Sequence, residues 1–231
     1  MMTLAELKRK MHFSMDGVVF ERPPAKPVAR EIFLRSDDMF VWRKPSEKCL
    51  PELSGHDAYR KQVPEDRMVP LWGGISWGGF AVVLRHPSRK TNAEDWSAAV
   101  RKGNLEKALS AVNPHRRGRP WTILCDNERF LRARASLDAY EEAGVSLWKL
   151  PALSPDLNPV ERFWAWVRRR MRKMDLADLV AKRPVLGRLA WKARLMRLVR
   201  TKAATKVAAN TMAKLKRVCA QVKKTGAASG R

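Results

Sequence analysis

Three acidic residues in this 231-residue chain stand at positions suited to holding cations. Asp16 lies inside "MHFSMDGVVF" (11–20), an apolar run with strand character. Asp126 follows "WTILC", a compact β-branched run, and so ends a strand, where open α/β sheets place ligands. Glu161 stands in the first turn of a helix that begins at Pro159. Carboxylates drawn together repel unless protons or cations neutralise them. Paired Mg²⁺ ions, which prefer hard oxygen ligands, are a common solution; they activate a water or hydroxyl for attack on a phosphodiester. Each acid also has a plainer reading. Asn158-Pro159-Val160-Glu161 fits a helix start with Asn as N-cap, Pro at N1 and Glu at N3, a capping box that needs no metal. Asp126-Asn127 fits a turn, and Asp16-Gly17 fits a turn or bulge. Composition and spacing leave both readings open.

The elements that must position these acids follow from the pattern. After the first strand, "PPAKP" (23–27) breaks the chain. "EIFLRSDDMFVWRKP" predicts two short strands around a turn at Ser36-Asp37-Asp38, which makes Asp37 and Asp38 rivals of Asp16. Residues 46–67 read as a polar loop, and 68–86, with its glycine pairs, as a hairpin. Residues 92–112 have helical spacing, with Asn92 as N-cap and a weak point at Gly103. A helix over 128–144 closes on Gly144, and "VSLWKLP" forms another short strand. The next helix runs from about Pro159 to Met174; Trp164 and Trp166 on it point apart, so at least one packs in the core. Strands alternating with helices in this order predict an α/β fold with a mixed sheet. From Asp175 onward the sequence favours helix, broken at Pro184 and Gly187, and "TGAASGR" reads as a frayed end.

Charge narrows the partners. The net charge is +24, and residues 168–231 hold 20 Lys/Arg against 2 Asp/Glu, so the back of the chain is a cationic arm. Such a field selects polyanions: DNA, RNA or an anionic membrane surface. An arm of this kind binds phosphate backbones without reading bases, with salt-sensitive affinity. Cys49, Cys125 and Cys219 form no CxxC pair, and His12, His56, His86 and His115 have no ligand spacing, which argues against a structural zinc site and fits a reducing compartment. There is no apolar run of membrane-spanning length and no signal-peptide core at the start, so an intracellular location is expected and no membrane partner.

"LPALSPDLNPVERFWAWVRRR" (150–170) resembles the signature of mariner-like transposases and related bacterial insertion-sequence transposases, in which Ser-Pro-Asp-Leu-Asn-Pro precedes a catalytic acid. The 34 residues between Asp126 and Glu161 match the common spacing of that family's second and third acids. "WTILCDN", "FVWRKPSEK" (40–48), "VPLWGGISWGGF" (69–80) and "NAEDW" resemble other family segments in the same order. The resemblance implies a ribonuclease H-like mixed sheet flanked by helices, with a basic helical C-terminal tail. It implies a DDE catalytic domain over 1–174 and a basic extension over 175–231. Asp16, Asp126 and Glu161 would be both catalytic residues and ligands of two Mg²⁺ or Mn²⁺ ions. In such enzymes water cuts DNA at the transposon end, and the freed 3′-hydroxyl attacks target DNA. The implied partners are duplex DNA, as transposon ends and target, and a second copy in a homodimer; in a eukaryote the location would be the nucleus. Arg168, Arg169, Arg170, Arg172 and Lys173 follow Glu161 on the same helix, positioned to meet DNA phosphates.

The chain departs from the family in three places. Gly17 stands where relatives usually carry an acid, "DNERFLRA" lacks their histidine, and the sequence starts almost at the first catalytic strand, without the helix-turn-helix part that recognises transposon ends. These departures motivate an alternative expectation: a catalytically inactive, domesticated or truncated relic acting as a basic DNA-binding protein. Charge alone would also suit an RNA-associated assembly protein.

Overall fold

A computed structural model describes residues 3–35, 63–85, 91–116, 118, 120–151, 154 and 157–225. Asp37, Asp38, Cys49, His56, His86, the segment 40–48 and the final 226–231 lie outside the described residues.

Helix α1 (Leu4–Lys10) opens with a capping box in which Thr3 and Glu6 satisfy each other's backbone N–H groups. It leads into the central strand β1 (Phe13–Glu21). Strands β2 (Met68–Ser76) and β3 (Gly79–Leu84) form the expected hairpin, and β4 (Trp121–Cys125) and β5 (Val145–Lys149) the second half of the sheet. The spatial order is β3-β2-β1-β4-β5. The pairs β1–β2 and β2–β3 are antiparallel, whereas β1–β4 and β4–β5 are parallel. The sheet is therefore mixed, as expected.

Alternation along β1 divides its side chains between two cores. Val18 and Phe20 face a layer built by α6 (Pro159–Val180), α7 (Arg188–Leu198) and α8 (Lys202–Thr225). Phe13 and Met15 face the other layer, built by α3 (Ala93–Arg101), α4 (Asn104–Val112) and α5 (Arg134–Glu142). Asp16 has the parity of Val18, which points it toward the α6 layer. The separation of α3 from α4 occurs at Gly103, whose φ of 76° places it in the left-handed region that glycine adopts at low cost.

Two expectations are corrected. The residues from Glu31 that were expected to begin a strand belong to helix α2 (Pro27–Arg35). Proline at a helix start has the right fixed φ, and the buried positions Arg30 and Leu34 are four apart, on one helical face. Arg30 hides that period because it is charged. Its guanidinium donates to the Arg183 carbonyl at 2.7 Å and the Asp175 carbonyl at 3.5 Å. Likewise, α6 continues past Met174 to Val180. Its later buried positions are Asp175 and Asp178, held by Arg194 at 3.0 and 2.6 Å and, for Asp175, by the Trp191 indole N–H at 3.0 Å. The position 174/175 thus falls inside α6, and Trp191, Leu195, Ala204, Ala208 and Met212 from α7 and α8 pack in the same core as β1 and α6.

Candidate active site

The three acids come from three elements. Asp16 is in mid-β1, only 5% exposed. Asp126 directly follows β4, whose Cys125 pairs with Met15 of β1, so Asp126 emerges beside Asp16. Glu161 sits in the first turn of α6. The three carboxyl groups are close enough for the charges of Asp126 and Glu161 to act on Asp16 and that of Glu161 to act on Asp126.

The electrostatics follow. Burial first, then the Glu161 hydrogen bond and the negative charges of Asp126 and Glu161, push the Asp16 carboxyl up to about 9, opposed by the Gly17 N–H that donates to Asp16 Oδ1 at 2.7 Å. Asp126 is raised by burial and by Glu161, and held down in part by the amide of Asn158. Burial and the charge of Asp126 also raise Glu128, a fourth carboxylate beside the group that sequence reasoning missed because nothing in its spacing marks it. Beneath them the free, buried Cys125 is pushed up to about 12, first by burial and then by Asp126 and Asp16. Among the described residues, no lysine or arginine forms an ion pair with Asp16, Asp126 or Glu161. Nor do any three His, Cys, Asp or Glu side chains among them converge closely enough to enclose a metal ion.

Asn158 ties the acids' elements together. It occupies the N-cap position of α6, but its side chain makes no cap hydrogen bond, contrary to the sequence expectation. Fully buried, it accepts from Ser14 Oγ at 2.6 Å and donates to Asp126 Oδ1 at 3.2 Å and to the Met15 carbonyl at 3.4 Å. Ser14 serves the helix end instead, accepting from Val160 N–H at 3.1 Å. The capping box expected of Glu161 is absent; its backbone N–H reaches the Asn158 carbonyl at 3.1 Å and its carboxyl turns to Asp16.

Gly17 has a steric explanation. It pairs across the sheet with Trp72, and a Cβ there would lie 2.7 Å from the Trp72 ring. That indole is fixed by a hydrogen bond to Thr91 Oγ1 at 2.9 Å and by edge contacts with Trp96 and Phe130.

The cations after Glu161 are spread along the outside of α6. Arg168, Arg169, Arg170 and Lys173 are exposed. The Arg168 guanidinium lies over the Phe20 ring at 5.8 Å and that of Arg170 over Trp166 at 5.8 Å. Arg172 is partly buried, its Nε donating to the Leu34 carbonyl of α2 at 2.8 Å. Arg168, Arg169 and Arg172 border a cavity of about 350 Å³. Trp164 is buried and Trp166 only partly so, in keeping with their opposed directions.

A five-stranded mixed sheet in this order, with acids at the centre of β1, after β4 and on the covering helix, defines a ribonuclease H-like fold. The chain belongs to the DDE superfamily endonucleases, whose family model matches residues 47–180. That stretch includes Asp126 and Glu161 and begins beyond Asp16. The fold is similar to that of the Mos1 mariner transposase. A pre-cleavage Mos1 transpososome matches at TM-score 0.53 and 20% identity, over 91% of this chain and 54% of the other. A Mos1 paired-end complex with the left transposon end matches at 0.54 and 20%, over 93% and 54%. The Mos1 mariner paired-end complex with Mn matches at 0.55 and 18%, over 91% and 53%. The chain thus spans about half the length of these solved chains. No protein of curated function matches it in sequence. Among the described residues, no helix is long and apolar enough to cross a membrane.

Proposed function

We propose that this chain is a DDE-type DNA endonuclease and strand-transfer domain that uses divalent ions held by Asp16, Asp126 and Glu161. The observation that carries the reading is the convergence of three acids from three elements: Asp16 in mid-β1, Asp126 just after the β4 residue that pairs with Met15, and Glu161 in the first turn of α6, whose Asn158 donates to Asp126 Oδ1 at 3.2 Å. Three carboxylates to which, among the described residues, no cationic side chain is paired are a hard-oxygen donor set that suits Mg²⁺ or Mn²⁺, and a net charge of two or more on the cation would offset their repulsion. Two bound ions would supply an activated water or 3′-hydroxyl and stabilise the leaving oxygen of the phosphodiester. The chain's own part is positioning. Asp16 is fixed by β1 and the Gly17 N–H, Asp126 by Asn158, and Glu161 by the helix start that Ser14 and Asn158 anchor. Ion binding requires the proton that burial and its acidic neighbours hold on Asp16 to leave.

DNA as partner is supported by the family, by the net charge of +24 and by the exposed Arg168, Arg169, Arg170 and Lys173 along α6. Arg168 is seven residues from Glu161, about 10 Å along the helix axis, within reach of neighbouring phosphates. Transposon ends and target DNA as substrates, a homodimer, and a nuclear location in a eukaryote belong to the same reading. One observation favours the alternative of an inactive DNA-binding relic: no three described acids enclose a metal position. The two readings separate in a supercoiled-plasmid nicking assay with Mg²⁺ and with Mn²⁺. Metal-dependent nicking that is lost in Asp126→Ala and in Glu161→Ala supports the enzyme. A folded wild type that binds DNA and never nicks it supports the relic.

A further inference from the structure

The free edge of the sheet borders a groove of about 610 Å³. Strand β3 is terminal in the sheet and, among the described residues, pairs only with β2. Ala108 and Ala111 of α4 wall one side of the groove, and Met196 and Val199 at the end of α7 wall the other. Among the described residues its charged lining is entirely cationic, namely Arg85, Lys107 and Arg200, with no Asp or Glu. None of the three is in an ion pair among the described residues. The excess reaches further: burial first, then the charges of Arg85 and Arg188, hold the ammonium of Lys192 on α7 below the ordinary lysine value. Crowded like charges without a counter-charge form a site that an anion stabilises.

The groove is placed near the acids. Leu84 pairs with Trp72, and Trp72 with Gly17, so the Arg85 end of β3 is level with the stretch of β1 that carries Asp16. Two strand spacings separate them, about 10 Å.

We infer that this groove holds the sugar-phosphate backbone of one DNA strand that continues past the acid cluster, with Arg85, Lys107 and Arg200 on successive phosphates. The inference rests on DNA being the partner, as proposed above. An acidic peptide adding as a sixth strand is the other occupant such an edge suggests. The register shift between β2 and β3 at Trp72/Gly73 opposes it, because a bulge of this kind increases twist and spoils an edge for further pairing. Cations on both walls suit a backbone charged on every residue.

The test is binding of a fluorescein-labelled single-stranded oligonucleotide to the full chain across a salt series. The variant Arg85→Glu/Lys107→Glu/Arg200→Glu is compared with Arg9→Glu/Lys10→Glu/Lys102→Glu, which changes the net charge equally at exposed positions elsewhere. The groove variant is expected to bind at least about tenfold more weakly, with a log–log salt slope reduced by about 2 for three lost phosphate contacts. The control is expected to keep most of its slope. Single Lys107→Gln and Arg200→Gln variants, whose melting should match wild type, guard against a folding defect and should each show part of the loss. Equal losses in the groove and control variants would assign binding to bulk charge and overturn the inference. So would a labelled polyglutamate peptide that binds wild type and is lost in the groove variant while DNA binding is kept. A wild type that binds no DNA at all refutes the DNA reading itself; a wild type that binds, with the groove variant unchanged, refutes the groove alone.

Discussion

The side-chain amide of Asn158 donates to Asp126 Oδ1 at 3.2 Å while its oxygen accepts from Ser14 at 2.6 Å. One fully buried residue at the start of α6 therefore fixes the position of the acid after β4 relative to β1 and to the helix that carries Glu161. Truncation to Asn158→Ala leaves the Ser14 hydroxyl and the Met15 carbonyl without this partner in a buried setting. Unsatisfied buried groups cost about 1–3 kcal/mol each. Urea denaturation of the variant is expected to show a loss of that order, and ion affinity should fall with it. A midpoint unchanged from wild type would contradict this positioning role.

Gly17 and Trp72 form an equally tight relationship. Restoring the acid of the family pattern with Gly17→Asp, or adding only a methyl with Gly17→Ala, drives a Cβ into the indole. Overpacking of this kind costs about 1–3 kcal/mol. Combining Gly17→Ala with Trp72→Leu should recover part of that cost, since the two residues are in contact and their effects are not additive. The check is a thermal double-mutant cycle, and strictly additive effects would show that the indole does not exclude a side chain there.

Protons bear on stability through Asp16. Its carboxyl is at about 9 in the folded chain against an ordinary 3.8, so the folded state favours the protonated form. The contribution is full below about pH 3.8 and is lost as pH rises toward 9. Melting temperatures of wild type relative to Asp16→Asn should therefore fall across that window, and Mg²⁺ or Mn²⁺ should reverse the fall at its alkaline end. A difference between the two proteins that does not vary with pH would count against a proton held on Asp16 in the folded chain.

His12 works in the opposite sense. Its Nδ1 accepts from Thr122 N–H at 2.8 Å, which leaves Nε2 to donate to the Arg9 carbonyl at 2.9 Å, so only the neutral ring satisfies both. Burial, then the charge of Arg116, hold its folded pKa below 6.5. Its stability contribution is present above pH 6.5 and lost as pH falls through the folded value. NMR titration of the ring should give a midpoint under 6.5; a midpoint above it would refute the assignment of the two hydrogen bonds.

Much of the fold was legible in the sequence. The β-branched run before Asp126, the glycine pairs of the hairpin and the Pro159 helix start each follow local rules, and the structure has β4, the β2–β3 hairpin and α6 there. What escaped notice depends on distant partners. Arg30, Asp175 and Asp178 are buried charges whose acceptors and donors lie far along the chain, so they interrupt an apolar period that is nonetheless helical. Asn158 has the sequence of a cap and the contacts of a bracket between β1 and Asp126, a distinction only the packing of Ser14 reveals. The grouping of Asp16, Asp126 and Glu161 was carried by the family resemblance, whereas the presence of Glu128 beside them follows from strand order and helix placement, which no local spacing encodes.

Binding of divalent ions by Asp16, Asp126 and Glu161 together is measured by calorimetric titration with Mn²⁺ at pH 7. Repeating the titration in buffers of different ionisation enthalpy counts protons released. Binding of two ions is expected, with release of the proton held on Asp16 and loss of binding in Asp126→Asn and Glu161→Gln. Absence of Mn²⁺ binding by the folded wild type, or binding unchanged in both variants, would contradict it.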